Sequence, residues 1–194
     1  MDCSGDERNN GEVKQVIFGQ ILLILCCAVY LVWWYRGFRP GVTVNRVGGI
    51  NGLLLLITAA LGFSGIFFSL TPVPAERDFL VSQSSIVMAG VVAYILLMLV
   101  TMGVFHRVVT TELVLITGWT VLEAAVVDRL YAAGALSGSG VLVEGIVIAA
   151  AFLISIVLYV AYYRMEEMKA FYYAMVPLVT EAAAMGVLTC LVLH

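Results

Sequence analysis

Glu123 and Glu181 lie deep inside apolar runs of a 194-residue chain, where a carboxylate has little water to solvate it. An acidic side chain at the centre of a spanning helix costs about 2.5 to 3.5 kcal/mol on insertion scales, so it faces protein or water and has a partner. Two carboxylates in one low-dielectric site cannot both ionise cheaply, so such a pair holds a proton between them. That is the chemistry of a proton- or cation-binding site. The competing reading makes each glutamate a neutral or hydroxyl-bonded clip between helices.

Their neighbours extend the candidate site. Thr120 and Trp119 precede Glu123 by three and four residues, which places a hydroxyl and an indole on its helix face. Pro177 lies one turn before Glu181 and cannot donate to the carbonyl of Tyr173. The freed carbonyl, Thr180 and Glu181 would form a polar notch that neighbours or water must satisfy.

Asp128 is about 140° round the helix from Glu123 and nearer the outer surface. Arg129 follows it directly, and adjacent helical residues do not face each other. Asp128 and Arg129 are therefore expected to pair with other helices or to snorkel outward. Glu144, near the outer start of the next apolar run, is the expected partner of Arg129 in an outer vestibule, as a structural ion pair rather than a gate.

The elements that must position these residues follow from hydropathy. The chain is 62% hydrophobic and 12% charged, with mean hydropathy +1.05; soluble domains are roughly 25% charged. This composition belongs to an integral membrane protein. Runs long enough to span a hydrocarbon core, about 20 residues, fall at Val13 to Tyr35, Val47 to Leu70, Ser84 to Phe105, Thr111 to Gly134, Gly140 to Arg164 and Phe171 to Leu193. The expected fold is all-α: a polar extracytoplasmic tail over 1–12, then one six-helix transmembrane bundle over 13–193. Helices four and six then place Glu123 and Glu181 near the bilayer midplane. "SQSS" can cap the third helix and "GALSGSG" turns the fourth into the fifth.

A shift of 93 positions superimposes Arg36 on Arg129, Gly41 on Gly134 and Gly52 on Gly145. Two three-helix units in one chain would enter the membrane in opposite senses, the inverted repeat of many transporters. Orientation follows from short-loop Lys and Arg. Arg36, Arg39, Arg46, Arg107, Arg164 and Lys169 outnumber Arg8, Lys14, Arg77 and Arg129 on the other side, which places both termini outside. In a prokaryote the membrane would be the plasma membrane.

The net charge of −3 forms no basic stripe, so nucleic acid is not an expected partner. The expected partners are the lipid bilayer and a small solute, proton or cation, with room for a homo-oligomer or a partner membrane protein. Cys26 and Cys27 cannot easily bridge each other and read as packing residues. With His106 and His194 as the only histidines and no CxxC spacing, no metal site or cofactor is expected. His106 reads as interfacial, and Glu166, Glu167 and Lys169 as a solvated loop or helix extension. Gly48 with Gly52 and Ala182 with Gly186 have the small-xxx-small spacing of close helix contacts. "WWY" at 33–35, "YYR" at 162–164 and "FYY" at 171–173 fall at helix ends as interfacial anchors.

A carrier or channel using the buried carboxylates is the first reading. A non-catalytic subunit or sensor working through a partner comes second. A membrane-embedded lipid-modifying enzyme, with the glutamates as acid and base, comes third because no catalytic motif supports it.

Overall fold

The computed structural model describes residues 3–41, 48–103 and 111–194. These residues form α1 (Cys3–Phe38), α2 (Ile50–Ser69), α3 (Gln83–Gly103), α4 (Thr111–Ala132), α5 (Gly138–Ala161), a 3-10 turn (Tyr162–Arg164), α6 (Glu167–Tyr173) and α7 (Val176–Leu193). No strand occurs among the described residues. Arg46, His106 and Arg107, used above for orientation and the interface, lie outside them.

Five stretches are long and apolar enough to cross a membrane: Gly11–Phe38, Ile50–Ser69, Gln83–Gly103, Gly138–Ala161 and Glu167–Leu193. The molecule is an all-helical, membrane-type protein. α4 has a comparable 22 residues, but it carries Glu112, Glu123, Asp128 and Arg129. It is set apart by its charge and not by its length.

Two apolar clusters fix the direction of each helix. Val16 of α1, Val126 and Leu130 of α4, Leu136, Ile148 of α5 and Leu188 of α7 meet near one end, which also takes Val73 from the α2–α3 connection. Leu113 and Ile116 of α4, Tyr159 of α5 and the flanking Tyr94 and Leu97 of α3 meet toward the other. Successive long helices therefore alternate in direction. We refer to these as the Arg129 end and the Arg164 end.

α4 packs on α3 and α5 and, more lightly, on α7. The outer faces of α2 and α3 present Leu56, Phe63, Phe67, Leu96 and Leu99, as a lipid-facing surface requires. α1 and α2 form the most extensive pair, crossing where Gly19 meets Gly65 and Ser69. A Cβ on Gly19 would stand 2.8 Å from the Gly65 carbonyl, and one on Gly65 would stand 2.7 Å from Leu23 Cγ. The expected close approach at Ala182 and Gly186 is not used at Gly186, where a Cβ would meet nothing within 4 Å.

Local signals set the helix ends. Ser82 Oγ accepts the Ser85 N–H at 3.2 Å at the start of α3. α4 closes through Gly134, whose φ of +75° is the left-handed conformation that glycine adopts without penalty. Ser137 caps α5 by accepting from the Gly140 N–H at 3.1 Å. The expected sixth helix is divided: α6 stops at Tyr173, α7 begins at Val176, and Pro177 stands in the first turn of α7. Pro177 therefore starts a helix, where its missing N–H costs nothing, and does not break one internally. α1 is helical from Cys3 and so takes in most of the polar segment over 1–12.

The aromatic anchors are joined to each other. Trp33 packs edge-on to Phe38 at 5.2 Å, Trp34 stacks on Phe38 at 4.2 Å, and Tyr35 meets Phe171 of α6 at 5.9 Å. Lys169 pairs with Glu166 at 3.0 Å in the open, as the solvated-extension reading expects.

Candidate functional site

α4 brings Glu123 into the bundle interior, where it is 0% exposed, and α5 brings Glu144, which is also 0% exposed. Glu181 of α7 is half-buried. Glu144 and Glu181 both lie close enough to Glu123 to act on it electrostatically, and the Cys27 thiol of α1 is similarly coupled to Glu123 and Glu181. Glu123 and Glu181 are thus in one electrostatic neighbourhood. Sequence reasoning left Glu144 out of this neighbourhood.

The position of Glu144 follows from α5's own spacing. Gly140, Glu144, Ile148, Ala151, Ser155 and Tyr159 are its buried residues, repeating every three or four positions along one face. That face packs on α4 and α7. Glu144 is about 9 Å from the start of α5, and Glu123 about 14 Å from the end of α4 at 1.5 Å per residue. Counted from the end the two antiparallel helices share, the carboxylates are offset by roughly one helical turn.

The cluster is rich in acceptors and poor in donors. Neither oxygen of Glu123 nor of Glu144 has a hydrogen-bond partner, and Gln20 Oε1 is also unpaired. Gln20 is 1% exposed on α1, within reach of the Glu123 carboxylate. Its Nε2 also donates to Ser69 Oγ of α2 at 3.4 Å. A buried carboxylate without donors is costly as an anion, so this arrangement suits carboxyl groups that carry protons.

The hydroxyls expected to serve the glutamates are engaged elsewhere. Thr120 Oγ1 donates to the Ile116 carbonyl at 2.9 Å, and Thr180 Oγ1 to the Pro177 carbonyl at 2.8 Å. Both bonds are local helix contacts. Trp119 packs at the edge of the apolar cluster, and its buried Nε1 has no partner.

Asp128 and Arg129 do a different job. Asp128, 4% exposed, accepts the Leu80 N–H at 2.8 Å and the Val81 N–H at 3.4 Å through Oδ1, and Gln83 Nε2 at 2.9 Å through Oδ2. Arg129 Nη1 donates to the Leu70 carbonyl at 2.7 Å, and its Nε to Gln83 Oε1 at 3.3 Å. The expected Arg129–Glu144 pair is not formed: each of these two side chains lies in a different setting. Glu76 and Arg77 add backbone bonds to the Ala132 carbonyl at 2.7 and 2.8 Å. The α2–α3 connection is therefore stapled across the Arg129 end of α4.

Among the described residues, no three His, Cys, Asp or Glu side chains converge as ligands for one metal ion. Cys26, Cys27 and Cys190 are free thiols, and Cys26 Sγ donates to the Thr58 carbonyl at 3.2 Å, a packing contact between α1 and α2. Gln20, Ser69 and Cys27 are neighbours of the candidate site that the sequence did not single out, and Glu144 was expected at an outer vestibule instead. Gln20 had one legible signal, as the amide in the middle of an apolar run beside Gly19. No protein-family model, curated protein or solved structure matches this chain.

Proposed function

We propose that this protein is a six-pass membrane carrier or channel that moves protons or a small proton-coupled solute through the cluster of Glu123, Glu144 and Glu181. The observation that supports this most directly is the pair of fully buried carboxylates, Glu123 and Glu144, with all four oxygens unpaired. A structural clip would be expected to engage its hydroxyl neighbours, yet Thr120 and Thr180 bond to their own helices. Carboxyl groups that exchange a proton in a dry interior are the usual elements of proton relays.

In this reading α4 is a sixth span. Its neighbouring helices bury Glu123, the α2–α3 connection covers Asp128, and Glu112 stays exposed in the first turn; both termini then lie on one side, outside by the distribution of Lys and Arg. Protons suit the site better than a divalent metal, because a metal needs several convergent oxygen ligands. The inverted repeat is not needed. α5 packs extensively on α7, whereas a true repeat would require a comparable α2–α3 contact.

The test is proton flux in proteoliposomes containing a pH-sensitive dye, comparing the parent with Glu123→Gln, Glu144→Gln and Glu181→Gln. Loss of flux in Glu123→Gln and Glu144→Gln supports the reading. Parent flux no higher than that of empty vesicles removes it.

A further inference from the structure

We infer that the cleft between α3, α4 and α5 at the Arg164 end is a binding site for one anionic phospholipid, with an acyl chain in the cleft and the phosphate at Arg164. The inference is independent of proton flux through the glutamates.

The cleft arises from how three helices meet. α3 and α5 each pack on α4 and scarcely touch one another among the described residues, so a gap is left between them over one face of α4. Its volume is about 530 Å³, within the roughly 300 to 1,000 Å³ of small-molecule sites. Leu113 of α4 and Tyr159 of α5 are buried walls, whereas Val100 of α3 and Val157 of α5 line the cleft while 48% and 62% exposed. The cleft is therefore open on its lipid side.

Its lining is that of a site for an amphiphile with a negative head. Among the described residues, Thr101, Tyr159 and Arg164 are the polar side chains that line it, and the rest are apolar. Thr101 is 5% exposed and brings a hydroxyl to the end of the cleft where Arg164 stands. Arg164 follows the end of α5 by three residues, at the level where a membrane helix meets the headgroups. Lys169 is paired with Glu166, and Glu112 and Glu167 do not line the cleft. Arg164 itself has no carboxylate partner among the described residues. Its guanidinium is free to take a phosphate through two parallel hydrogen bonds.

Length selects the occupant. The lining covers 97–101 on α3 and 156–161 on α5, about 6 to 8 Å of helix axis. A partner helix crossing the membrane would need a groove along about 30 Å of hydrocarbon. An acyl chain enters such a short opening directly beneath its headgroup, and Arg164 is the group that its phosphate meets there. In the orientation proposed above this end is cytoplasmic, the side where anionic lipids are enriched and basic pockets between helices hold their headgroups.

The experiment is native mass spectrometry of the full-length protein released from detergent micelles, with dioleoyl phosphatidylglycerol and dioleoyl phosphatidylcholine titrated in parallel. The parent should retain one phosphatidylglycerol about fivefold more strongly than phosphatidylcholine, the share that one basic side chain contributes near an anionic lipid. Arg164→Gln should lose this preference and Lys169→Gln should keep it. A second measurement leaves Arg164 in place, so it decides the matter even if the Gln variant does not fold. Phosphatidylglycerol with a photoreactive diazirine near the start of one acyl chain, in phosphatidylcholine nanodiscs, should crosslink to 97–101 and 156–161. Equal retention of the two lipids by the parent, an unchanged preference in folded Arg164→Gln, an equal loss in Lys169→Gln, or crosslinks spread evenly over α2 and α3 overturns the site. A second copy seated in the cleft, seen as a dimer in place of the lipid-bound monomer, does the same.

Discussion

Glu144 of α5 lies beside Glu123 of α4, fully buried like it and coupled to it electrostatically, with no hydrogen bond to either carboxylate. This relationship moves Glu144 from an outer ion pair with Arg129 to the electrostatic neighbourhood of Glu123. Glu144→Gln should therefore lower proton flux as Glu123→Gln does, while Arg129→Gln should leave the ionisation of Glu144 unchanged. Flux assays with infrared spectra of the same samples check both. Full activity in Glu144→Gln would return Glu144 to a structural role.

Asp128 and Arg129 hold the α2–α3 connection over the Arg129 end of the bundle. Asp128→Asn keeps the size but loses the charge that receives two backbone N–H groups. Hydrogen bonds to charged groups contribute about 1.5 to 3 kcal/mol, so Asp128→Asn should lower stability by an amount in that range. Hydrogen exchange should accelerate at Leu80 and Val81 in particular. Equal protection of these amides in parent and variant would contradict the staple.

The α1–α2 crossing gives a contrast between two glycines. Gly19→Val places a side chain against Gly65 and Ser69 and should destabilise the protein by about 1 to 3 kcal/mol through overpacking. Gly186→Ala meets open space and should be neutral or slightly stabilising, since alanine is the better helix former. Denaturant unfolding in detergent micelles measures both.

Pro177 stands at the start of α7, so Pro177→Ala should retain flux and fold normally. The break at 174–175 belongs to the junction of α6 and α7. A large loss of flux in Pro177→Ala with the fold intact would restore the proline to the mechanism.

Much of this architecture was legible in the sequence because helix length and hydropathy are local properties. The five apolar spans, the glycine turn at 134 and the serine caps all come from spacing along the chain. What was not legible depends on helix rotation and on who packs against whom. Glu144 was read by its depth, as a rim residue, although the buried stripe from Gly140 to Tyr159 turns it inward. Gln20 was one polar residue in an apolar run, and its meaning depends on Ser69, 49 positions away. Thr120 shares a helix face with Glu123 and Thr180 adjoins Glu181 in sequence, yet each hydroxyl finds a carbonyl of its own helix first. The partners of Asp128 and Arg129 lie far along the chain, in the α2–α3 connection and at Gln83, the first residue of α3.

The central claim is that protons cross the bundle by way of Glu123. Its most direct test is dye-reported proton uptake into proteoliposomes under an imposed membrane potential, with the parent and Glu123→Gln reconstituted at equal density and matched for folding. The account predicts uptake in the parent well above empty vesicles and uptake in Glu123→Gln reduced to the empty-vesicle background. Equal uptake in the two proteins would contradict it.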